Sequence, residues 1–106
     1  MELQELRYFV QIAKDGSYTK AAAQLYVSQP ALSKAMKKLE GELQVPLLDV
    51  RKNTVCLTDY GQLLYERSVR LIGEFDSLQG IVRDIKEGHT GSLKIGATPM
   101  LSNMFL

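Results

Sequence analysis

Residues 16–40 read GSYTKAAAQLYVSQPALSKAMKKLE, and this stretch decides the fold. It divides into two short helices joined by a tight turn. Ser28 suits the N-cap of the second helix, because its hydroxyl accepts from an orphan backbone N–H in the first turn. Pro30 follows where a missing N–H costs little. Leu32, Ala35, Met36 and Leu39 then recur at i, i+3, i+4 and i+7 and form one apolar stripe. Pro30, Ser33, Lys34, Lys37 and Lys38 fall on the other side, with three lysines and no acid. Such a face suits an electronegative partner such as a phosphate backbone.

The first of the two helices starts at Ser17, a second N-cap, set after Gly16. Ala21, Ala22, Ala23 and Leu25 keep it slim enough for another helix to cross closely. Tyr26-Val27 makes the turn, with Val27 buried at the corner. Two helices crossing through a turn of a few residues form a helix-turn-helix, whose second helix can enter a major groove. A lysine face alone is usually a solvated helix surface. The two caps and the short turn are what raise it above that.

Working outward, Leu3 to Lys14 reads as a supporting helix with Leu3, Leu6, Phe9, Val10 and Ala13 as its buried stripe. Asp15-Gly16 ends it. Downstream, Gly41 is the expected stop of the second helix, and Pro46 blocks continuation. Leu47 to Thr58 has two β-prone arms around Arg51-Lys52-Asn53, and Asn53 tolerates the positive φ of a hairpin tip. This is a small β-wing with a basic end.

A long helix over Tyr60 to Glu87 follows, capped by Thr58 or Asp59. Leu64, Leu71, Leu78 and Ile85 recur every seven residues, with Ser68, Phe75 and Val82 four residues after the first three. That is an a/d seam, which points to pairing with a second copy of the chain. Gly73 and Gly80 weaken it by about 1 kcal/mol each against Ala, and mark a close helix approach or a bend. Residues 87–91 (EGHTG) read as a hinge, and Leu93 to Gly96 as the start of a strand.

Composition sets outer bounds. The chain has 106 residues, 45% of them apolar, and a net charge of +1. The balance is uneven: eight basic against six acidic residues through Thr58, five against six after it. A local basic patch fits docking on DNA in one orientation. A single cysteine, Cys56, permits no internal disulfide and reads as space-filling. The absence of a long apolar run or a leader predicts no membrane partner and a cytoplasmic location. One His and one Cys cannot build a tetrahedral metal site, no phosphate-cradling glycine loop occurs, and no catalytic set stands out. An enzyme is therefore not expected, and no metal or cofactor.

In order and at family spacing, LRYFV, the 16–40 stretch with its SQPALS string, VPLL, LTDYG and GSLKIG resemble the N-terminal part of LysR-type transcriptional regulators. The resemblance implies a mainly α fold: a winged helix-turn-helix domain over residues 1–58, and a long dimerisation linker helix over 59–87. Residues 88–106 would be a hinge and the first strand of an α/β effector domain, so that the chain is an N-terminal piece. It implies double-stranded DNA as partner, with an inverted-repeat operator, a homodimer that becomes a tetramer at full length, and RNA polymerase as a further partner. A small-molecule inducer would bind the missing domain.

On this reading Gln29, Pro30 and Ser33 lie near bases, beside the cap Ser28. Lys34 reads a guanine or holds a phosphate. Lys37, Lys38, Ser17 and Thr19 hold phosphates, and Arg51, Lys52 and Asn53 carry the wing. Leu64, Ser68, Leu71, Phe75, Leu78, Val82 and Ile85 form the dimer seam. The wing departs from the family pattern: Leu48 stands where an aromatic is usual, and Val50 where an arginine is. Val50 cannot pair with a phosphate, which shifts that task to Arg51 and Lys52. Two alternatives share these features, a helical adaptor binding acidic proteins and a winged-helix regulator of another family; a small enzyme, whose essential residues would cluster on carboxylates, is a third.

Overall fold

The computed structural model describes residues 1–88. Three helices come first: α1 (Leu3–Asp15), α2 (Tyr18–Leu25) and α3 (Gln29–Leu43). A two-stranded antiparallel hairpin follows, β1 (Leu48–Arg51) and β2 (Thr54–Leu57), and then α4 (Asp59–Lys86). The fold is thus mainly helical with one β-wing. The chain divides into two units, Met1–Ile72 and Gly73–Leu106.

Each boundary in the first unit has a local cause. Gly16, at φ 64°, ends α1 and donates its N–H to the Ile12 carbonyl at 2.8 Å. Ser17 Oγ accepts from the Lys20 N–H at 3.1 Å and caps α2. Tyr26 takes the left-handed conformation at the end of α2, and its N–H returns to the Ala22 and Ala23 carbonyls. Ser28 Oγ accepts from the Ala31 N–H at 3.2 Å and caps α3.

The end of α3 differs from expectation. Gly41 does not stop the helix: it lies exposed, with open space where a Cβ would be, and the helix continues to Leu43. Leu43 packs against the core, which offsets the weak propensity of one glycine. The stop falls at Gln44 in the left-handed conformation, two residues before Pro46.

Leu6, Phe9, Ile12, Ala21, Ala22, Leu32, Met36, Leu39, Leu47 and Val55 make up the buried apolar core. The buried side of α1 keeps Leu6 and Phe9 of the expected stripe but differs at its edges. Ile12 is wholly buried and Glu5 nearly so, whereas Leu3, Val10 and Ala13 are only half-buried. Glu5 and Ile12 flank Leu6 and Phe9 at the helical period as well as Leu3, Val10 and Ala13 do, and the packing of α2 and α3 on α1 selects between the two edges. Glu5 tolerates burial because its Oε1 accepts from the Glu2 N–H at 2.8 Å.

The wing is a tight hairpin. Leu48 pairs with Leu57 and Arg51 with Thr54, so Lys52-Asn53 is a two-residue tip. Both tip residues have positive φ, 51° and 63°, as the right-handed twist of the strands favours. The Val55 N–H bonds the Gly16 carbonyl at 3.0 Å and ties β2 to the α1–α2 turn.

The start of α4 is pinned to the entry of the wing. Thr58 Oγ1 donates to the Pro46 carbonyl at 2.6 Å and accepts from the Gly61 N–H at 3.0 Å. The Thr58 N–H bonds the Leu47 carbonyl at 3.0 Å. Gly61 is required by this approach: a Cβ there would lie 2.1 Å from the Leu47 carbonyl oxygen.

In the second unit, residues 73–86 continue α4 and expose Phe75, Leu78, Ile81, Val82 and Ile85. Gly73 and Gly80 have open space around them. Among the described residues no helix is long and apolar enough to cross a membrane, and no group of His, Cys, Asp and Glu could hold a metal ion. His89, the strand expected at Leu93–Gly96 and the remaining tail lie outside the described residues.

Candidate nucleic-acid interface

The two caps bring two helix N-termini to the surface. Residues at the start of α2 (Thr19, Lys20) and of α3 (Ser28, Gln29, Pro30, Ala31) are exposed. The unpaired N–H groups of a first turn favour anions. Along α3, Lys34 and Lys37 are exposed and Ser33 is half-buried. Met36, Leu32 and Leu39, fully buried on the other side, fix the rotation that presents them.

A side-chain contact joins the two helix starts. Thr19 Oγ1 donates to Gln29 Oε1 at 3.3 Å. Glu40, the nearest acid along the helix, turns away: its Oε2 accepts from the N–H groups of Leu47 and Leu48. Its charge and, more strongly, burial push the Tyr18 phenol above its ordinary value.

Lys38 lies at the flank of this face. Its Nζ is 3.9 Å from Glu5 Oε2, a carboxylate 7% exposed at the start of α1. On the same side Glu42 pairs with the Met1 amine. Lys38 is one residue, about 100°, round the helix from Lys37, which is enough to turn it toward α1. Of the α3 lysines, Lys34 and Lys37 face solvent without such a carboxylate, and Lys38 is shared.

On the wing, Arg51, Lys52 and Asn53 are all exposed. Arg51 Nε bonds Asp49 Oδ2 at 3.1 Å, so part of its charge is already met on β1. Val50 is exposed and apolar. Cys56 is a free, half-buried thiol. Two exposed side chains were not singled out from the sequence. Lys20 shares the first turn of α2 with Thr19, and a lysine one turn past a serine cap was the available signal. Tyr26, 95% exposed at the turn, reads from the sequence only as a connector.

Along the proposed seam, Leu64 packs against the core of its own unit and Ser68 is buried at 2% exposure. Leu71, Phe75, Leu78, Val82 and Ile85 are exposed.

Residues 3–62 match the model of the bacterial regulatory helix-turn-helix proteins of the lysR family. The chain belongs to the LysR family. LysR proteins are DNA-binding transcription regulators, not enzymes. The chain is 38% identical over 96 residues to a probable cat1 operon transcriptional activator of Acinetobacter lwoffii, covering 91% of this chain and 32% of that protein. It is 40% identical over 98 residues to the regulator BudR of Klebsiella aerogenes, covering 92% and 68%. Among solved structures, the DNA-binding domain of BenM, a regulator of Acinetobacter baylyi, in complex with catB site 1 DNA superposes with a TM-score of 0.79. The identity is 37%, with 84% of this chain and 96% of that one covered. The chain spans about a third of the length of the first curated relatives it matches.

Proposed function

We propose that this LysR-type chain is the operator-reading end of a cytoplasmic regulator, which binds an inverted-repeat DNA site as a homodimer. The observation that carries the reading is the outer face of α3: Gln29, Pro30, Ser33, Lys34 and Lys37 stand together opposite a fully buried stripe. In the major groove, Gln29 and Ser33 address base edges and Pro30 packs against them. Lys34 addresses a guanine or a phosphate, and Lys37 holds a phosphate. Ser17 and Ser28 set the two helix N-termini against the backbone. Arg51, Lys52 and Asn53 bring the wing to the backbone or the minor groove. The solved BenM domain with catB site 1 DNA, similar over most of this chain, supports the same use of these elements.

The exposed stripe Leu71, Phe75, Leu78, Val82 and Ile85 supports pairing of two copies through α4. Leu64 and Ser68, turned into their own unit, stand outside that exposed stripe. Inducer binding, tetramer formation and contact with RNA polymerase belong to the whole protein.

Selection of bound sequences from a random duplex pool at fixed salt tests the reading. A palindromic consensus with half-sites about one helical turn apart, or a multiple of it, is expected. Equal recovery of palindromic and scrambled duplexes would overturn it and favour a helical adaptor instead.

A further inference from the structure

Thr19 and Gln29 are ten positions apart in sequence, on two different helices, yet their side chains meet at 3.3 Å. The direction of that bond matters. A threonine hydroxyl has one proton. Here it is donated to Gln29 Oε1, so it is not available to a phosphate oxygen, which only accepts. Thr19 therefore cannot hold a phosphate as a donor while it holds Gln29.

The consequence for Gln29 follows from its own inventory. The amide has two acceptor lone pairs on Oε1 and two donors on Nε2. With one lone pair engaged by Thr19, the other lone pair and both Nε2 protons remain. That is the set an adenine edge needs, since adenine offers an N6 donor and an N7 acceptor in the major groove. Guanine offers two acceptors, O6 and N7, and would need donors from both ends of the amide. The bond also limits the rotamers a long exposed side chain must give up on binding.

We propose that Thr19 is a positioning residue for Gln29: its hydroxyl holds the amide in place at the start of α3 and so strengthens a preference for adenine over guanine at one base pair of each half-site. This rests on the reading that α3 lies in the major groove. Thr19 is exposed, at the second position of α2, so replacing its hydroxyl leaves the core untouched.

The test uses the whole chain and a selected duplex, with adenine or guanine at the position where Gln29→Ala loses its preference. Affinity and its salt dependence are measured for wild type, Thr19→Val, Thr19→Ser, Gln29→Ala and the Thr19→Val/Gln29→Ala double variant. Thr19→Val is expected to reduce the adenine preference by about three- to ten-fold, with the salt slope unchanged. Thr19→Ser restores the preference, and Thr19→Val adds nothing once Gln29 is alanine. Equal weakening on every duplex, with the slope lowered by about one unit, would make Thr19 a phosphate contact and overturn the proposal. So would an unchanged preference in Thr19→Val when Gln29→Ala alters it. If Gln29→Ala itself changes no base preference, the major-groove reading fails with it.

Discussion

The Glu40 carboxylate, through Oε2, accepts the backbone N–H groups of both Leu47 and Leu48, at 2.6 and 3.2 Å. One acid near the end of α3 thereby fixes the point where the wing begins. The helix α3 and the hairpin are held in register by this one side chain.

Removing that acceptor leaves two partly buried donors without it. Glu40→Ala is expected to cost about 1–3 kcal/mol of unfolding free energy, measured by urea denaturation. Glu40→Gln keeps one carbonyl oxygen and loses less. Equal losses in the two variants would show that helix packing, not the paired N–H groups, sets the cost.

Two glycines, twenty residues apart, should respond with opposite sign. Gly61→Ala forces a methyl to 2.1 Å from the Leu47 carbonyl and must shift the start of α4. A loss of about 3 kcal/mol is expected, at the upper end for overpacking. Gly41→Ala meets nothing within 4 Å in a helix. A gain of about 0.5–1 kcal/mol should follow. Thermal melts of both variants check the pair.

Lys37 and Lys38 are neighbours with different surroundings. Lys37→Ala should weaken binding to all duplexes and reduce the salt slope by about one unit. Lys38→Ala should change the slope less, because its ammonium faces Glu5. Affinity titrations across a salt series distinguish them. Identical slopes in the two variants would remove the distinction.

This difference shows where the sequence was legible. The caps at Ser17 and Ser28, the buried Leu32–Met36–Leu39 stripe and the positive φ of Asn53 at the wing tip follow from local rules, and each has its place in the structure, whereas Arg51, expected in the tip, ends β1. Lys38, Gly41 and Ile12 depend on something local rules do not contain: which neighbour each meets. Lys38 turns to a buried acid 33 positions earlier, Leu43 carries α3 past Gly41, and the crossing angle of three helices chooses Ile12 over Ala13. The Thr19–Gln29 contact is of the same kind, legible only once two helix starts stand side by side.

Exposed apolar positions on α4 make a prediction about assembly. Phe75→Asp or Leu71→Asp places a charge in the proposed seam and should convert a dimer to a monomer, read as mass by light scattering. Unchanged mass in both variants would remove the pairing of α4 from the account.

Alkaline pH gives a further check. Burial, aided by the Glu40 charge, raises the Tyr18 phenol above its ordinary value. The folded state thus favours the protonated phenol. That stability is fully present below the unfolded pKa and is lost as pH rises from there through the folded value. Stability measured across this range should fall less steeply in Tyr18→Phe than in wild type. An identical fall would mean that Tyr18 ionises as it does in the unfolded chain.

The central claim is that the outer face of α3 reads a major groove, and methylation interference tests it most directly. Guanine N7 lies in the major groove and adenine N3 in the minor. N7 methylation should block binding in two clusters, one per half-site, with centres about one helical turn apart or a multiple of it. Binding that ignores N7 methylation at every position would contradict the account.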